Sequence, residues 1–121
     1  MTKTPDIEIY LMKATPDAVL AWLSSELGEV QQSTSKGSSQ QWLINGIEVV
    51  YTPEAEGKFG CLWIKQNLTH WNDDLDCARS AHPALDCEVR CAARMWSESA
   101  EDDQPGWIKL TRGQEKAFEW D

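Results

Sequence analysis

The sequence predicts an α+β protein with two helices and many short strands, and three features carry that expectation. Two capping threonines, Thr15 and Thr69, stand at helix starts; Asn45-Gly46 separates two β-rich runs; and most of the remaining apolar residues fall in short β-branched or aromatic stretches. In chain order, IEIYLMK (7–13) reads as a strand by its β-branched and aromatic content. Thr15-Pro16-Asp17 then opens a helix: threonine caps, proline needs no amide hydrogen at the first helical position, and aspartate faces the positive end of the dipole. Val19, Leu20, Leu23 and Leu27 recur at helical spacing, Trp22 widens the stripe, and Gly28 is placed to end the helix.

EVQQSTS (29–35) reads as a weak edge strand, followed by QQWLI (40–44) and IEVVYT (47–52). Asn45-Gly46 between the last two predicts a two-residue hairpin, because both residues tolerate the positive φ of a type I′ turn. Pro53 lacks an amide hydrogen and is expected to end the strand, leaving PEAEGKFG (53–60) as a polar internal boundary. CLWIKQ (61–66) is the next strand, Thr69 caps a second helix over about 70–81, and His82-Pro83 stops it, since the residue before proline avoids the helical region. CEVRCAARMW (87–96), WIKLT (107–111) and KAFEW (116–120) complete the strands, with SESAEDDQPG (97–106) an acidic loop and RGQ a turn.

The 121 residues thus read as one domain of two consecutive β-α-β-β-β units, about 6–54 and 59–121. The units are expected to form a curved mixed sheet with the helices on its outer face. A ferredoxin-like α+β sandwich is the alternative, reached if two of the hairpin strands are not strands.

Composition narrows the function. With 41% hydrophobic and 26% charged residues the chain is that of an ordinary soluble domain; the apolar runs are too short for a membrane span, and the N-terminus lacks a secretory signal pattern. A cytoplasmic setting is expected, where the four cysteines stay thiols. A net charge of -9 repels phosphate backbones and argues against nucleic acid, while it suits a basic partner.

HWNDDLDCARSAHPALDCEVRC (70–91) gathers histidines, cysteines and aspartates, yet its spacing argues against a metal site. On a strand Cys87 and Cys91 are about 13 Å apart, too far to share an ion or a disulfide. They share a face with Val89 and read as small core residues, opposite Glu88 and Arg90. His70 and His82, if one helix spans them, are separated by about 18 Å. No phosphate-cradling glycine loop, nucleophile elbow or CxxC pair is present, and Cys61 and Cys77 lack a sequence partner for covalent catalysis. No metal, cofactor or catalytic residue is expected.

ATPDAVLAWLSSELGEV, with Trp22-Leu23 ahead of Leu27-Gly28, resembles the first helix of the vicinal oxygen chelate fold, the family of glyoxalase I, extradiol dioxygenases and bleomycin-resistance proteins. WIKLTRGQEKAFEW resembles its closing hairpin, and the order of elements is similar throughout. The resemblance implies inward-facing residues on the first, fourth, fifth and eighth strands. Glu8, Glu48 and Glu119 are the acidic candidates there, without a histidine among them, so a metal-dependent lyase or dioxygenase-like enzyme is the lesser implication. Bleomycin-resistance proteins act by sequestration.

Seven tryptophans exceed expectation. Trp22 and Trp71 lie on apolar helix faces, whereas Trp63, between Cys61 and Lys65, is expected on the concave face with Glu8 and Tyr10 nearby. The favoured function is a small non-catalytic binding protein that holds an aromatic or cationic small molecule, with Trp63, Glu8, Tyr10, Glu48 and Glu119 as ligand-binding residues. The alternative is an acidic protein-interaction module, of inhibitor or immunity type, with a patch at Asp73, Asp74, Asp76, Glu101, Asp102 and Asp103. A homodimer is compatible with either.

Overall fold

The computed structural model describes residues 4–92 and 106–119. Trp96, Trp120, the acidic loop up to residue 105 and its Glu101, Asp102 and Asp103 lie outside the described residues. The elements follow as β1 (Ile7–Met12), α1 (Pro16–Leu27), β2 (Val30–Lys36), β3 (Ser39–Ile44), β4 (Ile47–Glu56), β5 (Phe59–Ile64), α2 (Asp74–Leu85), β6 (Val89–Ala92), β7 (Trp107–Thr111) and β8 (Gln114–Phe118).

One eight-stranded sheet of order β2-β3-β4-β5-β1-β6-β7-β8 joins them, and every neighbouring pair is antiparallel. The mixed sheet expected from two strand-helix-strand crossovers is therefore corrected to an antiparallel one. β5 and β6 run in the same direction across α2, but β1 inserts between them; β1 and β2 likewise run alike, with three strands between. The two halves are also laid out differently. The strand after α1 is at the sheet edge, whereas the strand after α2 is beside the centre. All the hairpin strands are in the sheet, which leaves no ferredoxin-like arrangement.

Local chemistry explains most boundaries. Asn45 (φ 49°) and Gly46 (φ 80°) form the two-residue turn between Ile44 and Ile47, as Asn-Gly requires. Asn45 also donates through Nδ2 to the Leu27 carbonyl at 3.0 Å, closing the end of α1. Thr15 caps that helix by accepting from Ala18 N at 3.2 Å, and Gly28, at φ 122°, ends it.

Four sequence expectations shift. α2 starts at Asp73, whose carboxylate accepts from Asp76 N at 2.9 Å, and not at Thr69. Thr69 is buried and spends its hydroxyl on Asn67 Oδ1 and the Trp71 amide, which turns the chain before the helix. The helix also runs through Pro83 to Leu85, ending at Asp86 in the left-handed region. In the last turn proline removes a single ladder bond, and His82 is held from outside: its Nε2 accepts from Gly113 N at 3.0 Å, so its Nδ1–H donates to the Cys87 carbonyl at 2.7 Å. β4 passes Pro53 through an irregularity between Thr52 and Glu56, where Glu54 has φ 55°, and pairs directly with β5. Finally, Arg112-Gly113 alone makes the last turn, so β8 begins at Gln114 and Glu119 falls beyond its end.

Both helices cover one face of the sheet. Ile7, Ile9, Leu11, Ile44, Val49, Leu62, Ile64, Val89, Cys91 and Ile108 point into that layer and are almost fully buried. Trp22 of α1 stacks on Trp71 at 5.5 Å and donates to Ser80 Oγ of α2 at 3.0 Å, joining the helices to each other. Among the described residues, no helix is long and apolar enough to cross a membrane.

Candidate functional site

Period-two alternation sends the complementary residues to the face that, among the described residues, carries no helix. β1 contributes Glu8, Tyr10 and Met12 to it. Glu8 lies opposite Trp63 and Tyr10 opposite Cys61 on β5, and Val50 and Thr52 of β4 continue the two rows. On the other side of β1, Tyr10 lies opposite Arg90, Arg90 opposite Lys109, and Lys109 opposite Lys116. Trp107 and Phe118 form the adjacent pair on β7 and β8.

The structure thus brings together Trp63, Glu8 and Tyr10. Trp63 is 39% exposed and donates through Nε1 to Asp6 Oδ2 at 3.0 Å, while Lys65 Nζ lies 5.8 Å from its ring centre. Glu8 Oε2 accepts from Cys61 Sγ at 3.3 Å and lies 3.5 Å from the Tyr10 hydroxyl. Tyr10 in turn meets Trp107 edge to face at 5.7 Å. Glu48 is exposed on the same face opposite Leu43, displaced along the strands from Trp63. Glu119 does not join them: it lies past β8, and continued alternation puts it on the side of Glu115, which grips Arg79 of α2 at 2.7 Å.

Charge divides this face. Asp6, Glu8 and Glu48 stand near Trp63 with Lys65 the cation among them, Glu56 lies further along opposite Phe59, and Arg90, Lys109 and Lys116 stand in one row with Glu88 beside Arg90. The Arg90 guanidinium lies 4.2 Å from the Phe59 ring centre and 4.8 Å from that of Phe118, and bonds Glu88 at 2.8 Å. Sequence reasoning missed Asp6 and this basic row. The alternation of Arg90 with Val89 and Cys91 signalled its face, but its neighbours depend on register across three strands.

The groups here are poor nucleophiles. Burial first, and then the negative charge of Glu8, push the Cys61 thiol up to about 12 from an ordinary 9.0. Burial and the neighbouring Cys61 likewise raise the Tyr10 phenol. At neutral pH the Cys61 thiolate population is roughly a hundred- to a thousand-fold below that of an ordinary thiol. Iodoacetamide labelling followed by mass spectrometry should accordingly find Cys61 slow despite its partial exposure, and Glu8→Gln should accelerate it. Alkylation at the rate of a free cysteine would contradict this geometry. Cys77 is fully buried, and burial raises its thiol too.

The side chains of the histidine, cysteine and aspartate segment bond within the fold. Both ring nitrogens of His82 are engaged, and His70 is distant in sequence, 3.3 Å from Glu26 and packed on Trp71. Among the described residues no three histidine, cysteine or acidic side chains are grouped to hold a metal ion. All four cysteines are thiols. Of the expected acidic patch, Asp74 is 2% exposed and accepts from Glu8 N at 3.1 Å, while Asp73 caps α2 and Asp76 accepts from Asn72 N at 3.1 Å. Their carboxylates serve backbone amides.

Hollows on the molecule are open. The depression on the helix-free face, about 140 Å³, is lined by Thr34, Gln41, Leu43, Glu48, Val50 and Lys65 among others. A larger one of about 590 Å³ lies off that face, between the β1–α1 connection and the end of α2. Comparison with protein-family models, curated proteins and solved structures gives no match.

Proposed function

We propose that the protein is a non-catalytic binding protein whose contact surface is the helix-free sheet face, and that its partner is a protein surface bearing cations. The observation carrying this reading is Trp63, the exposed tryptophan among the described residues, on the half-solvated face of an antiparallel sheet, with Asp6 and Glu8 beside it and Glu48 along the neighbouring strand. Tryptophan supplies a large rigid contact area, and carboxylates beside it favour lysine or arginine side chains over competing groups. Cys61 and Tyr10, both held protonated, make catalysis at this place the weaker reading.

An aromatic or cationic small molecule is the second reading, favoured by the same indole with its flanking carboxylates. The depression beside it on this face, about 140 Å³ and bordered by Glu48, Val50 and Lys65, is smaller than the roughly 300–1,000 Å³ of ligand pockets, so such a molecule would lie on the face without being enclosed.

Trp63→Ala tests both. Truncation of this half-exposed side chain should lower stability by less than about 1 kcal/mol, against about 3–5 for a buried tryptophan. A thermal melt close to wild type together with lost binding of an arginine- and lysine-rich peptide is the expected result. A large fall in melting temperature would place Trp63 in the core and remove the anchor from this account.

A further inference from the structure

His82 lies in the last turn of α2, and both of its ring nitrogens are bonded to backbone groups. Those partners fix its state. The Gly113 N–H can only donate, so Nε2, 3.0 Å away, presents a lone pair; the proton of the neutral ring is then on Nδ1, 2.7 Å from the Cys87 carbonyl oxygen. The two bonds join the end of α2, the chain entering β6 and the turn between β7 and β8. A proton added to Nε2 turns that acceptor into a donor aimed at another N–H, so the Gly113 bond is lost while the Cys87 bond is kept. We propose that His82 is a proton-operated latch, which holds the β7–β8 turn to the end of α2 when the ring is neutral and releases it when the ring is charged. The latch is independent of what the sheet face binds.

The charged groups described around the ring favour release once it is protonated. The C-terminal end of α2 stabilises a cation, and Asp86, which ends that helix, draws the charged ring toward it. Arg112, in the turn itself, lines the same hollow of about 410 Å³ as His82, Asp86 and Glu88, and a charged imidazole repels it. Glu88 is engaged by Arg90 at 2.8 Å, and Glu115 of β8 by Arg79 of α2 at 2.7 Å, so each of these carboxylates already faces an arginine. The Cys87 thiol, pushed up by burial, stays uncharged. The Arg79–Glu115 pair and the β6–β7 ladder keep the hairpin strands in place, and Gly113 is exposed, so water takes over its N–H when the ring lets go. What the proton frees is the turn, with the sheet left intact.

Water-exchange NMR on the nitrogen-15-labelled full chain tests this, read at Gly113 as pH is lowered from about 7.5 to about 5, the range over which histidines charge. Corrected for the intrinsic pH dependence of exchange, protection of the Gly113 amide should fall about three- to tenfold, with the midpoint of the His82 ring titration. Ring nitrogen shifts above that midpoint should report the Nδ1–H tautomer. The amides of Ile9 and Leu62, in the buried layer, should stay protected throughout, which separates release of the turn from acid unfolding. In His82→Gln, whose side chain does not titrate, the step should vanish, whereas His70→Gln should leave it in place. Protection at Gly113 that stays flat while His82 titrates, a step that follows His70 or persists in His82→Gln, an Nε2–H tautomer, or a ring that stays neutral until the fold is lost would each overturn the latch.

Discussion

Trp22→Ala should destabilise the protein by about 3–5 kcal/mol, the largest loss expected from any single truncation considered for it. Trp22 is 6% exposed and stacks on Trp71 at 5.5 Å with an interplanar angle of 24°. Its indole N–H also reaches Ser80 Oγ, so the side chain fastens α1 to α2 and to the segment before α2 at once. Removing it leaves a cavity beneath both helices and strands one face of Trp71 without a neighbour. Urea denaturation should show a lower midpoint with little change in slope. A loss below about 1 kcal/mol would mean that the helices do not depend on this stack.

Asp74→Ala should be nearly as damaging, at about 2–3 kcal/mol, for a polar reason. Asp74 is 2% exposed, and its Oδ1 accepts from the Glu8 amide across the boundary between α2 and β1. The carboxylate lies in the first turn of α2, where the helix dipole favours negative charge. Alanine forfeits that and leaves the Glu8 N–H without this acceptor. Asp74→Asn keeps an oxygen acceptor and should recover part of the loss. Equal denaturation curves for wild type and Asp74→Ala would contradict the role. The contact also ties fold to site, because the backbone it holds is that of Glu8, directly opposite Trp63.

Much of this was legible from the chain. Ile7, Ile9 and Leu11 alternating with Glu8 and Tyr10 gave the two faces of β1, Asn45-Gly46 gave a hairpin, and Thr15 with Pro16 gave the start of α1. The start of α2 was less so, because Thr69 and Asp73 are both good caps. Packing decided between them, since Trp71 must turn inward onto Trp22 before the helix can begin. His82 remained helical before Pro83 because of bonds to Cys87 and Gly113, distant or irregular positions that no local propensity reports. Strand order was beyond reach for the same reason. Arg90, Lys109 and Lys116 become a row only through two registers, and Asp74 became a buried acceptor only once α2 packed against β1.

The helix-free face around Trp63 is the surface proposed to meet the partner. Titration of an arginine- and lysine-rich peptide into dilute nitrogen-15-labelled protein addresses it most directly. The Trp63 indole N–H and the amides of Asp6, Glu8 and Cys61 should shift together and return at high salt, while the indole signals of Trp22 and Trp71 stay in place. Shifts centred on α1 and α2, or none at Trp63, would contradict it.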